Sequence, residues 1–308
     1  MSKAFRFILH AREKLYESGV FHTQRLNSPV ISVGNLTVGG TGKTPLVIAL
    51  AEGLRDRGFH PVILSRGYGR RSSSVLVAGS DWQESGDEPM LMKQRLGNVP
   101  VVVGARRYEA GLLAQQKQLG NIFILDDGFQ HRQLHRDVDL VAIDPIEWNA
   151  GEDLLPTGRW REPKSSIARA HAACVQEIPG TTVADFEIPS FQVRTEVQGI
   201  FNGNTPVSPK YFEGRTVVAF GGIAKPDRFF STVESIGIHP AKCVRFRDHH
   251  RYSAREIENL GGELLLTTEK DAVRLHGVTN RNYSYIRVSA KIPQFEELMK
   301  LIISRLPK

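Results

Sequence analysis

The segment Val38-Gly39-Gly40-Thr41-Gly42-Lys43-Thr44 constrains this chain more than any other. It follows the apolar run Val30 to Val33 and opens the stretch Thr44 to Arg57, where Leu46, Ala49, Leu50 and Leu54 recur at helical spacing. A glycine-rich turn between a buried strand and a helix aims its backbone N–H groups inward, and the helix start adds partial positive charge, so the pair suits phosphate oxygens. In such a loop Lys43 reaches the β and γ phosphates and the Thr44 hydroxyl suits Mg2+. Thr37 stands where the strict GxxxxGK[ST] pattern has its first glycine, and the GGTGKT core is the form used by a deviant branch of phosphate loops. Thr37, Val38, Gly39, Gly40, Thr41, Gly42, Lys43 and Thr44 are therefore the expected nucleotide-binding residues.

Around this loop the chain alternates short apolar runs with helical patterns. Pro61 to Leu64, Val99 to Val103, Ile122 to Leu125 and Leu140 to Ile143 read as strands, and Glu88 to Leu96 and Arg106 to Leu119 as helices. Repeated strand and helix predicts a parallel sheet covered on both faces. From Phe186 to Val207 the text alternates polar and apolar around an Asn202-Gly203 turn, an extended ribbon or hairpin. A second series then runs from Thr216 to Leu306. The expected architecture is α/β, a P-loop NTPase-like parallel sheet unit at 21–185 joined by an extended linker at 186–215 to a smaller α/β unit at 216–308. Length supports two such units, since 308 residues is about twice a typical domain.

Composition excludes several classes. A hydrophobic share of 41% with 24% charged residues is neither disordered nor fibrous. Cys174 and Cys243 lie in no paired or ligand spacing, so neither a disulfide framework nor a zinc site is expected. The net charge of +7 favours an anionic partner, but the basic residues are dispersed without a recognition helix or aromatic-studded basic strand, which argues against nucleic acid. No stretch reaches the length of a membrane span. The first twenty residues form a basic amphipathic pattern, with Ala4, Phe5, Ile8, Leu9, Leu15 and Tyr16 at helical spacing beside Lys3, Arg6, Arg12 and Lys14. Such a helix either packs on the protein or lies in the headgroup plane of an anionic bilayer.

A phosphate loop needs a metal carboxylate at the end of a neighbouring strand, and Ile122-Phe123-Ile124-Leu125-Asp126-Asp127 supplies one. If the strand continues through both acids they point to opposite sides, so a single direct metal contact, Asp126, is expected beside Thr44.

The flanking text carries a resemblance. Ser32 to Pro45, Ser65-Arg66-Gly67-Tyr68-Gly69-Arg70, Gly86-Asp87-Glu88-Pro89 and Asp126-Asp127-Gly128-Phe129-Gln130-His131 follow in order, then Gly158 to Pro163, Phe220 to Ala224, Asp248-His249-His250 and Leu266 to Asp271. This set resembles the tetraacyldisaccharide 4′-kinase (lipid A 4′-kinase) family. The resemblance implies transfer of the ATP γ-phosphoryl, with Mg2+, to the 4′-hydroxyl of an acylated glucosamine disaccharide 1-phosphate at the cytoplasmic face of the bacterial inner membrane. It also implies catalytic roles for Asp87, as proton acceptor, and for His249, with His250 as the alternate partner, alongside Lys43. Glu88, Arg107, Asp127, Arg161 and Glu162 are weaker candidates for phosphate or substrate contact, or for groups standing behind those that make it. With such a substrate the basic helix at 1–20 reads as a peripheral contact to anionic lipid, and no protein partner is implied. A ParA-like switch ATPase shares the loop core but usually has lysine where Val38 stands here.

Overall fold

The computed structural model describes residues 2–183 and 186–307, with side chains in the first helix from residue 5 onward. Helix α1 (Ser2–Glu17) leads into β1 (Val30–Gly34), α2 (Lys43–Arg55), β2 (Pro61–Ser65), β3 (Leu76–Val77), α3 (Trp82–Ser85), α4 (Asp87–Leu96), β4 (Val101–Val103), α5 (Arg107–Gln116) and β5 (Ile122–Asp126). Then come β6 (Val138–Ile143), α6 (Pro145–Asn149), β7 (Ala172–Gln176), β8 (Ser190–Asn202), β9 (Thr205–Val207), β10 (Val217–Gly221) and α7 (Pro226–Ser235). The series closes with β11 (Lys242–Arg245), α8 (Ala254–Glu258), β12 (Leu264–Thr268), α9 (Glu269–Leu275), β13 (Tyr283–Lys291) and α10 (Phe295–Ser304).

The strands form one continuous sheet in the order β11-β10-β12-β13-β8-β7-β6-β1-β5-β2-β4-β3, with β9 on the edge of β8. The α/β expectation holds, and the parallel pairings run from β4 to β7 and again from β11 to β13. We call these halves the first and second lobes. The extended stretch after residue 186 is built into both: Ser190 to Val193 pairs parallel with β7, and Arg194 to Asn202 pairs antiparallel with β13. It is a shared strand rather than a free ribbon, because its polar–apolar alternation lets one face of each half-strand join a core. Residue 185, the edge of the expected first unit, lies outside the described residues.

Two further differences from the sequence reading concern the ends. Helix α10, counted with the second unit, packs into the first core through Leu298, Met299 and Ile302, with Phe295 against Gly53 of α2. Its apolar stripe finds a partner there because α2 carries a glycine where a larger residue would block the approach. Helix α1 packs along one side and leaves apolar side chains exposed on the other. Phe5 and Leu9 pack beside Leu36, Phe129 and Trp160, whereas Phe7 and Ile8 are 72% and 60% exposed. The side chains of Lys3 and Ala4, part of the expected pattern, lie outside the described residues.

The first core is formed where α2 lays Leu46, Val47, Leu50 and Leu54, all fully buried, on β1 and its neighbours. Each such side chain contributes about 1.5–3 kcal/mol. That anchoring holds the phosphate loop, at the carboxyl end of β1, rigidly against β5. The join is tightest at Gly34, where an added Cβ would meet Phe129 Cβ at 2.5 Å and the Phe129 amide nitrogen at 2.6 Å. Backbone cannot yield as a flexible side chain does, so Gly34→Ala is expected to cost about 1–3 kcal/mol. A urea unfolding midpoint equal to that of the parent protein would contradict this close approach.

Candidate active site

The loop enters α2 through Gly42, whose φ of 77° is a left-handed conformation that an L side chain adopts only with strain. Val38 to Thr44 line a cavity of about 1290 Å3 that separates the two lobes. Thr37 does not join them: its hydroxyl donates to Glu147 Oε2 at 2.5 Å, and its backbone pairs with Trp160. The expected loop contact is therefore corrected at this residue, which buttresses the loop from behind. The Thr41 hydroxyl is buried without a protein partner.

At the end of β5 both acids reach the cavity. The strand stops at Asp126 and Asp127 turns left-handed, with φ of 52°, so the alternation that would send the two acids to opposite sides does not apply here. Asp127 accepts from Arg161 at 2.8 Å and lies 3.3 Å from Lys43, and these two cations outweigh its burial and hold it below the usual carboxylate range. Asp126 accepts from the Ser65 hydroxyl at 2.8 Å. Burial first, and then the nearby charges of Glu88 and Asp127, push Asp126 up to about 7. A buried carboxylate crowded by two others is the environment a divalent cation relieves. Among the described residues no group of three or more His, Cys, Asp or Glu side chains forms a metal cage. Mg2+ takes one or two carboxylates and completes its shell with phosphate oxygens and water. Thr44 and Asp126 are the residues that would hold it.

The second lobe brings the other half of the site. His249, held at φ of 56°, places Nδ1 2.8 Å from Asp87 Oδ2. His250 faces away, stacked on Phe246 with Nε2 3.0 Å from Glu256, so the structure puts His249 and not His250 at Asp87. Asp87 begins α4, is only 3% exposed, and its other oxygen accepts from the Glu88 amide. Burial alone would raise its pKa, but Lys270, His249 and Arg274 together hold it below the usual carboxylate range. The His249 side chain, 23% exposed, is the member of the pair that lines the cavity. Lys270 bridges Glu88, at 3.0 Å, and the His249 ring Nε2, at 3.4 Å.

The weaker candidates divide. Glu88, Arg107, Asp127 and Arg161 line the cavity, while Glu162 does not. Glu162 is buried beneath α1, accepting from Arg12 at 2.9 Å and Arg169 at 2.5 Å, so it anchors that helix. Arg107 is 5% exposed, with its Nε lacking any partner. Sequence reasoning assigned no role to Ser65, Arg66, Lys270 and Arg274. Ser65 and Arg66 carried a usable signal, since they end a parallel strand at the carboxyl edge where such sheets bind ligands. Arg274 carried none, and Lys270 stood out only as part of the Leu266 to Asp271 segment, because only the meeting of the lobes brings the two to Asp87.

A depressed carboxylate contributes stability that is present above its ordinary value near pH 4 and is lost as pH falls through its lower folded value. Asp87→Asn should therefore be less stable than the parent at pH 7, by about 2–4 kcal/mol for a broken buried pair. The difference should narrow as pH drops below about 4. Chemical denaturation at several pH values checks this, and a pH-independent difference would contradict it.

Comparison with known proteins agrees across the whole chain. Residues 1–307 match the family model described as Tetraacyldisaccharide-1-P 4′-kinase. The tetraacyldisaccharide 4′-kinase of Aquifex aeolicus (strain VF5) is 38% identical over 98% of this chain and 96% of its own. That of Koribacter versatilis (strain Ellin345) is 36% identical over 99% and 98%. A crystal structure of LpxK from Aquifex aeolicus in complex with ATP matches with a TM-score of 0.85 and 35% identity, covering 99% of this chain and 97% of that one. Phosphate loop, paired acids and cross-lobe dyad thus sit in a chain that belongs to the tetraacyldisaccharide-1-phosphate 4′-kinase family.

Proposed function

We propose that this chain transfers the γ-phosphoryl of ATP to the 4′-hydroxyl of a tetraacylated glucosamine disaccharide 1-phosphate, a step of lipid A biosynthesis. One observation carries the reading: a single cavity is lined by the phosphate loop, the Asp126–Asp127 pair, His249 and the apolar side chains Phe5, Ile8, Leu9 and Phe21. Only a substrate with both a reactive polar head and hydrocarbon chains uses all of those walls.

In this reading the loop amides and Lys43 hold the β and γ phosphates, positioning them in line with the acceptor. Mg2+, when bound at Thr44 and Asp126, neutralises charge on the transferred group. Asp87 and His249 work as one proton-accepting unit for the 4′-hydroxyl. Asp87 supplies the negative charge, His249 orients it and faces the cavity, and the proton balance belongs to the pair. Arg107 offers its buried guanidinium to a phosphate oxygen, and Arg161 fixes Asp127. Burial, reinforced by the neighbouring cations Arg107, Arg136 and Arg66, holds the His131 pKa down to about 4, so it stays neutral near pH 7.

For the acceptor to arrive from a bilayer, α1 has to sit at its surface, and we place the protein as a peripheral protein on the cytoplasmic face of the inner membrane. Supporting this, Phe7, Ile8, Val20 and Phe21 are exposed, and Ile8 and Phe21 also line the cavity. No helix among the described residues is long and apolar enough to cross a membrane.

Incubating the protein with ATP, Mg2+ and the disaccharide 1-phosphate should add one phosphate group by mass spectrometry, and an unmodified acceptor would overturn the reading. Asp87→Ala should lower turnover by about 10²–10⁴ while ATP affinity, read by calorimetry, holds. Near-normal turnover would remove Asp87 from the chemistry. Deleting residues 2–20 should reduce co-sedimentation with anionic vesicles, and the parent's binding should weaken as salt rises. Unchanged association would reject the membrane role of α1.

A further inference from the structure

Across the cleft from the dyad, the lobes meet at a second ionic contact. Asp144 ends β6 and caps α6, accepting from the Ile146 and Glu147 amides, and its side chain is fully buried. Two cations from the second lobe converge on it: Lys225, just before α7, and Arg228, whose Nη2 lies 2.7 Å from Oδ2. Lys225 also lies 2.8 Å from Glu147 Oε1. Glu147 in turn accepts from the Thr37 hydroxyl and lies 3.2 Å from Arg159, whose guanidinium donates to the Val38 carbonyl at 2.7 Å. The acidic pair therefore grips the shoulder of the phosphate loop on one side and the second lobe on the other. Ala224 completes the contact, its Cβ 3.6 Å from where a side chain at Gly40 would start.

We infer that Lys225 and Arg228 are positioning residues: they latch the second lobe to the loop shoulder through Asp144 and Glu147, and so hold the cleft in the closed arrangement in which His249 meets Asp87. The physical argument is one of charge. Opening the lobes would strip a buried carboxylate of both its cations, which is costly, whereas closure satisfies it at the same time as the dyad forms on the far side. Burial raises the Asp144 pKa, but Lys225 and Arg228 outweigh it and hold it low, in keeping with an ionised partner. The cross-lobe ion pairs Arg95 with Glu269 and Lys270 with Glu88 sit on the dyad side. The latch is an ionic contact on the loop side.

The latch rests on the phosphate-loop reading only for its nucleotide readout, so two measurements on the full chain separate the questions. Small-angle scattering of the nucleotide-free protein should show a larger radius of gyration for Lys225→Met/Arg228→Gln than for the parent. Calorimetric affinity for ATP with Mg2+ should fall about tenfold, since only the closed fraction binds well, while kcat at saturating ATP changes less than KM. Lys225→Arg, which keeps the charge, should stay near the parent in both. An unchanged radius with weakened ATP binding would mean that Lys225 touches the nucleotide itself, overturning the latch. Unchanged radius and affinity would mean that the dyad side alone holds the lobes, which also overturns it. If the parent shows no ATP heat, the nucleotide reading fails while scattering still judges the latch.

Discussion

Asp87 is a buried carboxylate on the first lobe whose compensating partners, the cations Lys270 and Arg274 and the ring of His249, all come from the second. An isolated buried charge is prohibitive, so the lobes cannot separate without either protonating Asp87 or rehydrating it. The same interaction that joins the lobes also brings His249 to the cavity wall. Stability and the shape of the site are thus coupled through one ion cluster, and the rest of the molecule can be seen as the frame that presents it.

That frame is a sheet that never breaks. Strand β8 changes partners midway, parallel to β7 and then antiparallel to β13, so the two lobes share backbone hydrogen bonds along one element. The register shifts between Arg287 and Val288, opposite Gly199 and Val197, which leaves Gln198 unpaired. A bulge of this kind adds local twist to the β8–β13 pair. The C-terminal helix α10 returns to the first core, so the chain crosses between lobes again before it ends.

Much of the site was legible in the residues because it depends on local rules. A phosphate loop is recognisable from glycines, a lysine and a threonine between a strand and a helix, all within a few residues of one another. Asp126 was legible for the same reason, as an acid closing an apolar run. Thr37 misled because its position in the motif says nothing of Glu147, more than a hundred residues away, which claims its hydroxyl. For Asp127 the alternation argument did not apply, because alternation along a strand holds only while the strand lasts and β5 ends at Asp126. Strands β7 and β11 were missed, β7 being short and rich in alanine and β11 carrying charged residues at both ends, so neither stands out by apolar content.

The amino-acid sequence alone determined the α/β class, the phosphate loop with the acid that closes the neighbouring strand, and the amphipathic character of the first helix, since each is written in residues close enough to interact through a turn or two of backbone. Tertiary structure decided which histidine meets Asp87, which arginines are anchors for α1 and which face the cavity, and that two lobes close on one sheet. Those outcomes depend on charges and surfaces that become neighbours only after the chain has folded, where burial makes each pairing either strongly favourable or impossible.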